Sequence, residues 1–372
     1  MRSFLINNLK NVLGFRTNRR IVVFSVDDYG NIRVGSVKAR EQMMAKGLYG
    51  DWSSRFDHYD TLETSEDLNL LFETLSSVKD KTGRAAVFTV FANCANIDFE
   101  AIRANGYDTY RYKPLPEVLN SSANHVGAWD LWKEGIANRL FVPQFHGREH
   151  LNVKLFNQLL AAKDERMRVC LENNSYTNIE RSHSAYIRYN EAFSFESFSE
   201  NESLKEILID GLNLFEKVFG YRATNFNAPG AHEHSDLEST MKEGGIRFID
   251  TSTIKKEHQG DGIYKSKLRF MGERNSYGQT YLLRNCVFEP TLFEPEEAID
   301  RCLKEIEAAF RWSKPANISS HRVNFCGLID EKNREKGISS LRKLLRAVVT
   351  KWPDVEFLTA EELGLLIESE NG

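Results

Sequence analysis

Ile21-Val22-Val23-Phe24-Ser25-Val26-Asp27-Asp28-Tyr29-Gly30 runs from a mostly apolar stretch straight into two adjacent carboxylates and a turn signal. A short β-branched run bounded in this way reads as a buried strand, with the acids at its C-terminal end. A second run, Leu140 to Phe145, ends on His146-Gly147-Arg148-Glu149-His150, and a third, Ala316 to Ser320, ends on His321. Separate strands that deliver titratable groups at the same relative point are the mark of a parallel α/β sheet, whose sites form at the strand C-termini.

Working outward, further strand-like runs stand at 85–91, 223–227, 246–250, 280–288 and 355–358. Segments of helical period lie between most of them, at 37–46, 65–79, 151–163, 202–219, 295–311 and 332–351, and Ser235 to Glu238 reads as a capping box. The alternation predicts an α/β fold of mainly parallel strands with helices outside. No internal repeat or proline-rich linker divides the chain, so we expect one barrel-type domain over 20–372 preceded by an extension, 1–19. Residues 105–139 and 164–201 read as long loops on the side of the site.

The 372 residues carry a net charge of -4, with 41% hydrophobic and 27% charged, a balance suited to a globular protein with a substantial core. No basic block offers a nucleic-acid footprint. The five cysteines are scattered and never form C-x-x-C, which excludes a cysteine zinc site and argues for a reducing, cytoplasmic setting over a disulfide framework. No run reaches transmembrane length. Leu5, Leu9, Val12 and Leu13 fall near helical spacing, so residues 3–14 are expected to form an amphipathic packing helix, or else an anchor that makes the protein membrane-peripheral.

Histidines four residues apart can reach one cation, and an aspartate from a neighbouring strand completes a two-His, one-carboxylate set with a position open to water. Asp28 is the expected carboxylate beside His146 and His150, which leaves Asp27 free to act as a base. Taken singly, a His-x-x-x-His pair is often a surface feature and Asp-Asp a turn signal. Their joint occurrence at strand ends favours a catalytic metal site, and donors of this kind accept zinc, cobalt, manganese or nickel.

These residues resemble the polysaccharide deacetylases of the NodB-homology class, carbohydrate esterase family four. That family's Thr-Phe-Asp-Asp-Gly appears here as Ser25-Val26-Asp27-Asp28-Tyr29-Gly30, and its His-(Ser/Thr)-x-x-His as His146 to His150. The resemblance implies a distorted (β/α)7-type barrel, Asp27 as general base, and Asp28, His146 and His150 as zinc-type ligands. It also implies His321, in Ser319-Ser320-His321, as general acid. The family's Arg-x-Pro-x-Gly stands as Asn227-Ala228-Pro229-Gly230, without the arginine that orients the base, and Arg284 is the expected substitute from another strand. Asp250, in Phe248-Ile249-Asp250, stands where the family has an Asp that contacts the acid histidine. The implied activity is removal of N- or O-acetyl groups from an acetylated, amino-sugar-containing glycan or conjugate.

Two rival readings belong beside this one. His146-x-x-Glu149-His150 also fits an inverted zinc metallopeptidase with Glu149 as base, a scheme that needs both histidines on one helix. A degenerate barrel that binds glycan without turnover is the other. For substrate contacts we expect Tyr29, Asn93, Asn227, Pro229 and Gly230, with sugar stacking from Trp52, Tyr107, Tyr110, Tyr112, Trp129 or Trp132. His232-Glu233-His234 reads as a solvated loop after the Pro-Gly turn.

Overall fold

The computed structural model describes residues 2–50, 53–177, 179 and 188–371, and among them the side chains from residue 6 to 370. Its strands are β1 (Ile21–Tyr29), β2 (Phe88–Asn93), β3 (Ala95–Ile97), β4 (Tyr112–Pro114), β5 (Phe141–Gly147), β6 (Asn225–Phe226) and β7 (Phe248–Thr251). They continue with β8 (Ile254–His258), β9 (Tyr264–Leu268), β10 (Thr280–Leu283), β11 (Cys286–Val287), β12 (Ala316–His321) and β13 (Glu356–Phe357). Nine form one sheet in the order β10-β7-β6-β5-β2-β1-β12-β11, with β13 also paired to β1. Every pairing in it is parallel. Helices surround this curled sheet, as expected of a distorted (β/α) barrel.

All nine residues of β1 are buried, which is why its sequence is a continuous apolar run rather than an alternation. Val22, Phe24 and Val26 share one apolar cluster with Phe88, Val90, Phe141 and Ile318 and with Leu68, Leu71, Leu341 and Leu344 of the outer helices. Each such side chain, fully buried, contributes on the order of 2–3 kcal/mol. The core therefore holds the strand ends rigidly, and those ends carry the site.

Several expectations are corrected. The run 280–288 is two strands, because Asn285 breaks it: its side chain accepts from the Asn317 backbone N–H at 2.8 Å and donates to the Pro315 carbonyl at 2.9 Å. The expected loops contain helices Leu115–Ser121, Ala128–Ala137 and Glu165–Glu172, the last capped by Asp164, whose side chain accepts from the Arg166 and Met167 N–H groups. Trp132 buries itself in the middle of one of them. Ser235 and Glu238 form no capping box; the His234 ring accepts from the Asp236 N–H, and Glu238 accepts from the Tyr281 hydroxyl. Between β7 and β10, where a helix would normally cross, an antiparallel β8–β9 hairpin runs instead.

The N-terminal helix spans Arg2–Leu9, shorter than expected; the side chain of Leu5 lies outside the described ones, and the described apolar ones face outward. Polar groups face the body: Asn8 accepts from the Trp312 indole N–H at 2.9 Å, and Lys10 pairs with Glu305 at 3.1 Å. Ile6, Leu9 and Leu13 are 53%, 69% and 54% exposed. Among the described residues no helix is long and apolar enough to cross a membrane. The five cysteines are free and buried.

Candidate metal centre

β1 does not run straight into its acids. Its register against β2 slips between Val26 and Tyr29, and Asp28 takes φ +74°, a left-handed conformation that Asp tolerates better than most residues. The bulge lets Asp27 and Asp28 reach different partners at the same mouth. It also sends Tyr29 inward, where its ring packs at 4.8 Å on Phe141 and is 1% exposed. Tyr29 is thus a core residue and not the substrate contact expected of it.

Asp28 Oδ1 lies 3.3 Å from His146 Nε2 and 2.9 Å from His150 Nε2. One donor atom from each of the three residues falls within 4.8 Å of the others, and all three residues are buried. Two ligand atoms held 2.0–2.1 Å from a tetrahedral ion lie about 3.3 Å apart, so the set has the dimensions of a zinc-type site. His146 Nδ1 donates to the Asn227 carbonyl at 2.7 Å, the outer contact that aims Nε2 at an ion. His150 Nδ1 is buried without a partner among the described residues, while the Tyr176 hydroxyl donates to the His150 carbonyl at 2.5 Å. Burial opposes charge on Asp28, yet His150 and His146 hold its carboxyl well below the usual carboxylate range. Burial lowers the His150 pKa despite Asp28, favouring the neutral ring that a metal needs.

Asp27 is held separately. Arg284 grips it with both terminal nitrogens, Nη1 at 2.5 Å and Nη2 at 2.8 Å, and stacks on Phe91 with its guanidinium carbon 4.7 Å from the ring centroid. Burial works against the guanidinium charge, but Asp27 and Asp250 more than restore it and raise its pKa. Arg284 thus reaches Asp27 from another strand, where Asn227 makes no such contact.

His321 lies beside Asp27, with Nε2 3.8 Å from Oδ2, and its Nδ1 meets Glu289 Oε1 at 2.5 Å. Burial alone would lower its pKa, but Glu289, Asp28 and Asp27 lift it to about 9. Glu289 in turn receives Arg55 at 2.6 Å and Asn324 Nδ2 at 2.7 Å, and its own pKa is held down against burial. Asp250 does not contact His321. Its Oδ1 meets Ser25 Oγ and Asn317 Nδ2, each at 3.3 Å, and Arg284 Nε at 3.4 Å, so it supports the base side of the site. Glu289 holds His321 where Asp250 was expected to. It was missed because its only sequence signal is a position just after β11.

Other expected contacts divide. Asn227 donates from its side chain to the Asp250 carbonyl at 3.2 Å and serves His146 through its backbone. Asn93 is wholly buried and donates to the Gly147 carbonyl, tying β2 to β5. Pro229 is buried, whereas Gly230, at φ +79°, is exposed on the rim and approaches Glu191 too closely for a Cβ. Tyr110 and Trp132 are core residues, and Trp52 lies outside the described residues. Phe56, not anticipated, sets its ring edge-on to His321 at 5.3 Å. The loop expected at His232 is bound: His232 pairs with Glu191 at 3.1 Å, and Glu233 with Lys255.

Glu149 does not reach the two histidines as a peptidase base would. Its carboxylate receives Arg148 at 2.6 and 3.0 Å and the Tyr110 hydroxyl at 3.3 Å. His146 also lies on strand β5 and not on a helix shared with His150.

No family model matches the sequence, and no curated protein matches it. Among solved structures, the chain is similar to a candidate polysaccharide deacetylase from Mycobacterium smegmatis, at 13% identity over 96% of this chain and 94% of that one, with a TM-score of 0.45. It is also similar to a candidate glycoside hydrolase/deacetylase from Parabacteroides distasonis, at 10% identity over 94% and 71% of the two chains, TM-score 0.49. A third, a carbohydrate esterase family four pseudoenzyme from Bacillus anthracis, is 9% identical over 93% and 66%, TM-score 0.40.

Proposed function

We propose that this chain is a metal-dependent hydrolase that removes acetyl groups, from nitrogen or oxygen, on an amino-sugar-containing glycan or conjugate. One observation carries the reading. Asp28, His146 and His150 form a compact buried donor set, and an arginine-held carboxylate and a glutamate-held histidine flank it. A divalent cation bound there, zinc being our choice, would lower the pKa of a bound water towards about 7 and polarise the acetyl carbonyl.

The chain's own residues supply the proton traffic. Asp27, kept oriented by Arg284, takes the proton from the attacking water. The new C–O bond forms at the acetyl carbon as the carbonyl electron pair moves onto oxygen. His321, protonated at neutral pH because its pKa stands at about 9, gives its proton to the departing amine or alkoxide as the old bond breaks. Acetate and a free amino or hydroxyl group are the products. Two separately oriented partners for base and acid speak against a barrel that only binds.

Incubation of the metal-loaded protein with N-acetylated amino-sugar oligomers tests the reading. Acetate and free amine should appear in equal amounts and vanish in Asp27→Asn. Saturable glycan binding without acetate would replace the enzyme with a lectin-like role.

A further inference from the structure

Two segments that the hydrolase site does not use together make an unusual surface. Of the large hydrophobic side chains exposed in this molecule, Ile6, Leu9 and Leu13 come from the N-terminal segment and Ile254, Ile263, Tyr264 and Leu268 from the β8–β9 hairpin. Ile6 and Leu9 stand three apart on the helix and Leu13 follows it, while Asn8 and Lys10 beside them make the inward contacts. On the hairpin, Ile254 stands directly opposite Leu268. The segments meet where Gly14 bridges Met271 and the Phe15 N–H donates to the Met271 carbonyl at 2.6 Å, with Leu13 and Phe270 lining one shallow depression. Scattered exposed apolar residues need no explanation, but a contiguous set on two adjoining elements does.

The charges around this face are one-sided. Arg16, Lys256 and Arg274 are exposed and have no acidic partner among the described residues; Lys256 shares the face of Ile254 and Leu268. Of the acids nearby, Glu273 is paired with Arg269 and Glu257 with Lys267, so Asp261 is the one exposed counter-charge on the hairpin. This cationic rim sits on a chain whose net charge is -4. At the hairpin's far end the Tyr264 ring packs 5.2 Å from His232, just past the rim turn at Pro229–Ala231.

We propose that this face docks on an anionic lipid bilayer: Ile254, Leu268, Leu9 and Leu13 enter the headgroup boundary and Arg16, Lys256 and Arg274 meet lipid phosphates. The proposal does not depend on the hydrolase reading, since its test measures partition and not turnover.

The test is cosedimentation of the full chain with vesicles of phosphatidylcholine alone, or containing about one third phosphatidylglycerol. The parent should pellet with the anionic vesicles and at least about tenfold less with the neutral ones, since each cation near an anionic surface contributes about 1 kcal/mol. Arg16→Glu/Lys256→Glu should weaken anionic binding by about tenfold or more, and Ile254→Glu/Leu268→Glu should abolish it. All four sites are exposed, so thermal melting of both variants should match the parent. No pelleting with anionic vesicles, or pelleting indifferent to both variants, would overturn the proposal. So would a concentration-dependent dimer that Ile254→Glu/Leu268→Glu dissolves, which would give the face to a second copy of this chain.

Discussion

Replacing Arg284 with methionine should damage this protein twice, and the structure sets the scale of each effect. The guanidinium makes two charge-assisted hydrogen bonds to Asp27, at 2.5 and 2.8 Å, between side chains only 8% and 9% exposed. At about 1.5–3 kcal/mol each, their loss predicts roughly 3–6 kcal/mol. Breaking a buried ion pair from one side gives a similar figure, about 3–5 kcal/mol. We expect Arg284→Met to lose that much stability in urea unfolding, and Arg284→Lys about half of it, because an ammonium cannot make the paired contact. Adding Asp27→Asn to Arg284→Met removes the stranded carboxylate and should recover part of the loss, with a coupling energy of about 2 kcal/mol or more. Acetate release should fall about 10²–10³-fold in kcat with KM little changed, since an orienting group acts on the base and not on substrate binding. A cost below about 1 kcal/mol with no coupling to Asp27 would refute the reasoning.

Glu289→Gln should move the alkaline limb of the activity profile. In the parent, turnover declines as pH rises through about 9, where His321 loses its proton; without the glutamate the limb should shift down towards the ordinary histidine value of 6.5, and an unmoved limb would assign the acid elsewhere. Because the folded pKa is the higher one, this histidine's contribution to stability is complete below pH 6.5 and is lost as pH rises through about 9, so unfolding measured at pH 6 and pH 10 should show the glutamate mattering more at the lower. Glu149→Gln should keep acetate release within a factor of a few while costing about 1–3 kcal/mol of stability, because Arg148 loses part of its buried partner. Collapse of turnover in a folded Glu149→Gln protein would make Glu149 the base.

The strand ends were legible because burial on both faces writes an unbroken apolar run, and because a parallel sheet places its site at one end of every strand. Asp27, Asp28, His146 and His321 could be picked out on that ground before any coordinates. Arg284 was legible only as a cation after a strand; its distance from Asp27 comes from how the sheet curls, which no periodicity reveals. Glu289 and Phe56 carry no motif at all. Their roles come from which segments the barrel brings alongside β12. Tyr29 misled because an aromatic beside the acids reads as a sugar contact while the bulge at Asp28 turns it into the core, and Asp250 because a residue's place in chain order does not say which neighbour it faces. Leu9 and Leu13 misled for another reason: apolar spacing does not say which way a side chain points.

Metal content of the purified chain, parent against His146→Ala, tests the centre most directly. The parent should hold about one equivalent of a divalent metal and the variant should lose it, with both showing the same secondary structure by circular dichroism. Equal metal in the two proteins, or none in the parent after incubation with zinc, cobalt, manganese or nickel, would contradict the grouping of Asp28, His146 and His150 into a metal site.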